Sequence, residues 1–267
     1  RHLKAWRDWI ENAPGSPYWL QQRYQQDLLK SCIPLLHISG WYDDCLIGTL
    51  ENFSALTDGA HEPGARPAQR MVIGPWTHGG TGQRRIGDFD FGAEAEVNIG
   101  EMQRRWFDAH LRGEQDPSSP VRLFVMGRNT WLAENEWPLA RTSYVPYYFH
   151  SGGRANTRGG DGTLSPVPPG QEPGDRFRYD PANPVPYCAD FDWKQVGGPD
   201  DCTELELRDD ILVYTSLPLA EPLLICGPLK VCLFAASSAR DTDWTAKVLD
   251  VYPDGRAIRL NDGVVRA

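Results

Sequence analysis

The chain has 267 residues, 40% of them apolar and 11% aromatic, a composition that excludes a disordered protein and gives room for one large core or two ordinary ones. Its formal charge is −9 and its basic residues come singly or in pairs such as Arg84-Arg85 and Arg104-Arg105, which argues against nucleic acid as a partner. No apolar run is long enough to cross a bilayer, so no membrane partner is expected.

The first residues hold neither an initiating Met nor a hydrophobic signal core and read as internal sequence. They carry no address, and the cytoplasm is expected in preference to secretion. Cys32, Cys45, Cys188, Cys202, Cys226 and Cys232 are too dispersed for a zinc knuckle or a CxxC redox site. Structural or inert roles are expected for them, with Cys226 and Cys232 as buried thiols in apolar runs. The 26 glycines and 22 prolines point to many turns and much β structure.

In chain order, helical spacing is found over 3–12 and 18–30, broken by Pro14, Gly15 and Pro17. Residues 33–40 form a short apolar run that ends in glycine, the pattern of a buried parallel strand. A helical pattern follows over 45–56 through Leu46, Leu50 and Phe53, then a loop over 57–69. A second buried strand over 69–74 runs into Pro75-Trp76-Thr77-His78, and helical spacing returns over 93–111. This alternation predicts half of an open parallel sheet. The pattern changes at Gly113-Glu114-Gln115-Asp116-Pro117. Beyond it the strand candidates are 121–127, 143–150, 211–216, 223–237 and 244–252, separated by Gly/Pro/Asp turns, which predicts a β-sandwich or jelly roll.

Asp43 lies just past the first predicted strand and His78 just past the second. Catalytic groups of open α/β sheets gather at the carboxyl ends of strands, so a carboxylate and an imidazole from successive ends are placed to meet. There the acid would orient the imidazole and the imidazole would act as general base. Plainer readings stand beside this one: a solvated or capping acid, and a histidine packed beside tryptophan. Asp44, Asp88 and Asp90 are rivals to Asp43, and adjacent Asp43 and Asp44 are not expected to share one pocket. No Gly-x-Ser-x-Gly elbow occurs to supply a nucleophile, and neither Ser39 nor Cys45 stands in one.

A set of ordered landmarks makes the reading specific. They are Gly40-Trp41-Tyr42-Asp43, Gly74-Pro75-Trp76-Thr77-His78, Asp90-Phe91-Gly92 and the stretches 106–113, 121–127 and 137–138, followed by 179–186, 241–256 and 262–266. With these the chain resembles the C-terminal part of the cocaine esterase group of the Xaa-Pro dipeptidyl-peptidase (S15-like) α/β-hydrolases. The resemblance implies an α/β plus all-β fold. Residues 1–118 would be the end of a cap and the C-terminal part of the hydrolase domain, and residues 119–267 a jelly-roll domain without its last strands. It implies Asp43 as triad acid and His78 as general base, with the serine and an oxyanion-hole tyrosine supplied by an earlier part of the family chain.

The implied activity is hydrolysis of ester or amide bonds through an acyl-enzyme. Within the family, α-amino-acid ester or β-lactam acylase and Xaa-Pro dipeptidyl-peptidase are the alternatives. A non-catalytic jelly-roll module for binding or assembly is the alternative from another class. Trp41 and Trp76 are candidates for lining the substrate pocket. No cofactor or metal is implied, and His37 and His110 are read as structural. The expected partners are a small ester or amide substrate, an N-terminal companion polypeptide and a second copy of the chain.

Overall fold

A computed structural model describes residues 3–13, 15–58, 68–188 and 197–266. It is a mixed α/β structure with several antiparallel sheets. The central sheet has four strands in the order β1 (Leu35–Tyr42), β2 (Gln69–Thr77), β5 (Val121–Val125) and β6 (Thr130–Glu134). β1, β2 and β5 run parallel, and β6 closes the sheet as an antiparallel neighbour of β5. β5 and β6 lie past residue 118, so one hydrogen-bonded sheet continues across the point where the sequence pattern changes.

Both faces of this sheet are covered, which is why β2 reads as an uninterrupted apolar run. On one face Met71, Ile73, Val121 and Leu123 pack with Leu46 and Phe53 of α4 (Leu46–Asp58) and with Trp137. On the other, Tyr42 and Phe124 pack with Ile86, Phe91 and Ala95 from the segment that follows β2. That segment holds a small hairpin, β3 (Arg85–Ile86) and β4 (Phe89–Asp90), and a 3₁₀ turn at Ala93–Ala95. It leads into α5 (Ile99–Arg112), shorter at its start than the 93–111 pattern. Asn98 begins this helix by accepting from the Glu101 amide at 2.9 Å, and Gly113 ends it in the left-handed region at φ 72°.

The carboxyl ends of β1 and β2 are shaped by one tryptophan. Gly40 pairs with Gly74, but Tyr42 pairs with Thr77, so β2 carries one extra residue in this interval. The bulge holds Pro75, which has no N–H to give to a ladder, and Trp76. A Cβ on Gly40 would stand 2.0 Å from the Trp76 carbonyl oxygen, and a Cβ on Gly74 would stand 2.3 Å from its ring. Both glycines are needed for close approach. The Trp76 ring is fully buried, and its indole N–H donates to the Ala95 carbonyl at 3.0 Å.

The pattern over 18–30 gives two short helices, α2 (Pro17–Leu20) and α3 (Gln25–Leu28), after α1 (Leu3–Glu11). α1 and α2 bury no residue, and without packing a lone helical turn does not extend. The predicted loop over 57–69 falls largely outside the described residues.

The β half departs further from expectation. Its strands are β7 (Tyr148–His150) with β8 (Thr163–Ser165), and β9 (Asp243–Val251) with β10 (Ala257–Arg266), as two-stranded antiparallel sheets. Among the described residues these sheets do not close into a jelly roll. The 143–150 candidate is a strand over its last three residues. The 211–216 run contributes isolated bridges, Leu212 to Asn156 and Thr215 to Thr163. The 223–237 run forms no ladder: Pro222 and Pro228 lack amide donors, and its apolar side chains, Leu229, Leu233 and Phe234 among them, are exposed. Cys226 is half-buried, while Cys232 is exposed and not the buried thiol expected. Cys188 and Cys202 are joined in a disulfide.

Arg259 of β10 ties these parts together. Its buried guanidinium meets the Asp200 carboxylate at 2.8 Å, the Gly198 carbonyl at 3.0 Å and the Tyr187 hydroxyl at 2.5 Å. Its backbone carbonyl accepts from the Tyr42 hydroxyl at 3.4 Å, linking the β9–β10 hairpin to the end of β1.

The glycine geometry gives a paired prediction. Gly40→Ala forces a methyl into the Trp76 backbone and is expected to destabilise the chain by about 3 kcal/mol or more in urea unfolding. Gly48→Ala, in helix α4 with nothing within 4 Å of the added carbon, is expected to stabilise by about 0.5–1 kcal/mol.

Candidate functional site

Tyr42 and Thr77 are register partners, and the next residue on each strand is Asp43 or His78. Parallel pairing therefore delivers both side chains to the same edge of the sheet. β1 ends in a turn in which the Asp43 amide donates to the Gly40 carbonyl at 3.0 Å. β2 ends in a turn of 3₁₀ helix over His78–Gly80. The Nδ1 of His78 lies 3.1 Å from Oδ1 of Asp43, within hydrogen-bond reach.

The carboxylate of Asp43 is held from two further sides. The buried Ser39 hydroxyl donates to Oδ2 at 3.0 Å, and the Cys45 amide donates to Oδ1 at 2.9 Å. Burial pushes the Asp43 carboxyl up, but the Cys45 amide, His78 and the Ser39 hydroxyl outweigh it and hold the group below the ordinary aspartate range. The hydrogen bond that Asp43 accepts from His78 raises the imidazole above its ordinary value, helped by the charges of Asp43 and Asp44. The two side chains differ sharply in exposure, 8% for Asp43 against 68% for His78. The acid is a fixed, buried anchor, and the imidazole is open to whatever approaches it.

The rival acids fall into place. Asp44 was expected to turn away from a site that holds Asp43, yet its Oδ1 lies 3.5 Å from the same imidazole nitrogen. The tight turn after β1 lets both carboxylates reach His78, one buried and one 61% exposed. Asp90 is engaged by Arg84, Arg85 and the Gly92 amide. Ser39, in no elbow, shares the strand face of Trp41 and turns its hydroxyl to the Asp43 carboxylate.

The tryptophans adjoining the site are tied to the backbone. Trp41 is half-buried, donates to the Phe124 carbonyl at 2.7 Å and lies 6.2 Å from the Trp137 ring. Trp76 has no exposed surface and lies 5.9 Å from the Trp131 ring. His37 packs edge-on against Phe53 and pairs with Gln69 at 3.0 Å, and His110 lies 4.0 Å from the Trp106 ring. Among the described residues one group has the donors to hold a metal ion: Asp43, Asp44, Cys45 and His78, whose donor atoms all lie within 4.8 Å of one another. Among the described residues no helix is long and apolar enough to cross a membrane.

If Asp43 raises His78, the imidazole is expected to titrate above about 6.5 by NMR, and Asp43→Asn to return it toward that value. The sign follows from linkage. The His78 contribution to stability is full below the unfolded imidazole value and is lost as pH rises through the folded one. The Asp43 contribution is present above the ordinary carboxylate value and is lost as pH falls through its depressed one.

Comparison with known proteins places the chain among its relatives. Residues 1–80 match the X-Pro dipeptidyl-peptidase (S15 family) model, and residues 114–267 match that of the X-Pro dipeptidyl-peptidase C-terminal non-catalytic domain. Cocaine esterase from Rhodococcus sp. (strain MB1 Bresler) is 43% identical over 241 residues, which cover 87% of this chain and 41% of that protein. A putative serine esterase, Mb1866c of Mycobacterium bovis, is 26% identical over 257 residues, 91% of this chain and 37% of the relative. The crystal structure of an aminopeptidase from a marine sediment Thaumarchaeota archaeon superposes with a TM-score of 0.73 at 25% identity, over 99% of this chain and 46% of that one. The chain thus spans less than half the length of these relatives. With a matching domain model over more than half its residues, a relative at 43% identity and an Asp–His pair at successive strand ends, the chain belongs to the Xaa-Pro dipeptidyl-peptidase (S15) superfamily of α/β-hydrolase-related proteins, in which the cocaine esterase group falls.

Proposed function

We propose that this chain supplies the acid and the general base of a Ser-His-Asp triad that hydrolyses ester or amide bonds. The observation that carries the reading is the 3.1 Å contact between Nδ1 of the exposed His78 and the buried carboxylate of Asp43. Asp43 accepts from Nδ1–H and leaves the Nε2 lone pair free. Nε2 takes the proton of an attacking serine hydroxyl, passes it to the leaving group, and then activates the water that releases the acyl group. The buried acid stabilises the imidazolium that forms between these steps. The serine is supplied from outside these 267 residues, since no elbow motif occurs within them.

Cocaine esterase, at 43% identity, favours an ester as substrate over the amide that the archaeal aminopeptidase suggests. Acylase and dipeptidyl-peptidase activities remain the readings to test against it. In this proposal residues 1–118 belong to the hydrolase domain and residues 119–267 to a jelly-roll domain, with β5 and β6 as the strands that weld the two. The second reading, a non-catalytic β module, is favoured over 114–267 by the non-catalytic domain model that matches there. It is compatible with the first, because a scaffold can support a triad it does not contribute to. Of the two tryptophans, Trp41 keeps the partial exposure that pocket lining needs, and Trp76 serves by shaping the strand ends.

The test is aryl-ester hydrolysis by the chain joined with a family segment that bears a Gly-x-Ser-x-Gly elbow. Asp43→Asn is expected to lower kcat by about 10⁴-fold, since it leaves the shape intact and removes the tautomer control. The rate should rise with pH as His78 loses its proton, with the midpoint above the ordinary imidazole value. Full activity in Asp43→Asn, or single-site labelling of the chain alone by a serine-reactive probe, would overturn the assignment.

A further inference from the structure

The proposed triad leaves two groups beside His78 without a task, the Asp44 carboxylate and the Cys45 thiol. Both lie within 4.8 Å of the Asp43 and His78 donors, and the Cys45 side chain is exposed, outside any disulfide and hydrogen-bonded to Asp44. Solvated acids alone are common in turns. Here the set is mixed, with a thiol and an imidazole joined to two carboxylates, and this combination selects a thiophilic divalent cation over magnesium or calcium. Its origin is the same register that builds the dyad. Asp43, Asp44 and Cys45 follow one another at the end of β1, and His78 is set against them by β2.

We propose that Asp43, Asp44, Cys45 and His78 form a binding site for one thiophilic divalent cation of the zinc and cadmium type, and that its occupancy switches off His78 as a base. Tetrahedral bonds of about 2.0–2.3 Å place neighbouring donors about 3.3–3.8 Å apart. Nδ1 of His78 already stands 3.1 Å from Asp43 and 3.5 Å from Asp44. The remaining contraction falls on the Cys45, Asp44 and His78 side chains, which are exposed to solvent. Coordination displaces the thiol proton of Cys45 to solvent. It also takes the Nδ1 lone pair, so the neutral ring carries its proton on Nε2. That is the nitrogen whose lone pair a general base must offer. Binding itself stands apart from the hydrolase reading, whereas the inhibitory consequence rests on it.

Cadmium is the probe, titrated into the intact chain and followed by the ultraviolet cadmium–thiolate charge-transfer band and by ¹⁵N spectra of the imidazoles. One equivalent is expected to saturate the band, with zinc displacing it, and the His78 signals should move to the Nε2–H tautomer. Cys45→Ser should abolish the band. His78→Gln should weaken binding by about tenfold or more, while Cys32→Ser, at another exposed free thiol, should leave both unchanged. A band that survives Cys45→Ser, or an affinity that His78→Gln does not alter, overturns the site. A normal cadmium response together with full activity of Asp43→Asn would instead retain the site and overturn the hydrolase reading.

Discussion

The bulged parallel pairing of β1 with β2 governs the arrangement of this molecule. A regular ladder continued from the Gly40–Gly74 pair would set Tyr42 against Trp76 and leave His78 one position out of step with Asp43. The extra residue on β2 shifts the partnership to Tyr42 and Thr77. It is tolerated because Gly40 and Gly74 have no side chains where the Trp76 backbone and ring must pass. The ring is then buried beside Trp131 of β6 and under the turn that holds Ala95, so the bulge is fixed by the sheet and by the segment that covers it.

On that platform Asp43 and His78 are given opposite environments. Asp43 is enclosed and receives hydrogen bonds from a hydroxyl, a backbone amide and an imidazole. This is how a carboxylate stays ionised despite burial. His78 stands in the open, where the Asp43 hydrogen bond and the two neighbouring carboxylates favour its charged form. Rigidity lies on the side of the carboxylate and access on the side of the imidazole. The Arg259 cluster extends the same platform toward the β half. A buried guanidinium without partners would be very costly, so Asp200, Tyr187 and Gly198 must stay in place as long as Arg259 does.

Much of this was legible because local pattern and tertiary environment agree. The apolar runs of β1 and β2, the spacing of Leu46 and Phe53 in α4, and the capped helix after Asn98 all satisfy a buried face and a local propensity together. The failures share a cause. Among the described residues, 18–30 has helical spacing but no buried face to hold one continuous helix, and 223–237 has the composition of strands but carries prolines and finds no ladder partner. Strand β6 was missed because Thr130–Glu134 is short and polar at its ends, and its strand state depends on pairing with β5. Ser39 and Asp44 were weighed singly, as a nucleophile and a rival, whereas their roles depend on where Asp43 sits.

The sequence by itself determined the family and pointed to Asp43 and His78 as residues that successive strand ends would bring together. Strand-end motifs such as Gly-Trp-Tyr-Asp and Gly-Pro-Trp-Thr-His combine local backbone demands with chemistry in a few adjacent positions. Only the tertiary structure decided that Asp43 and Asp44 both reach His78, that Ser39 holds the Asp43 carboxylate, that Cys45 stands beside His78, and that β5 and β6 belong to the same sheet as β1 and β2. Those are relations between segments separated by tens of residues. Register, a bulge and close packing set them, and none of these is written in the spacing of any one segment.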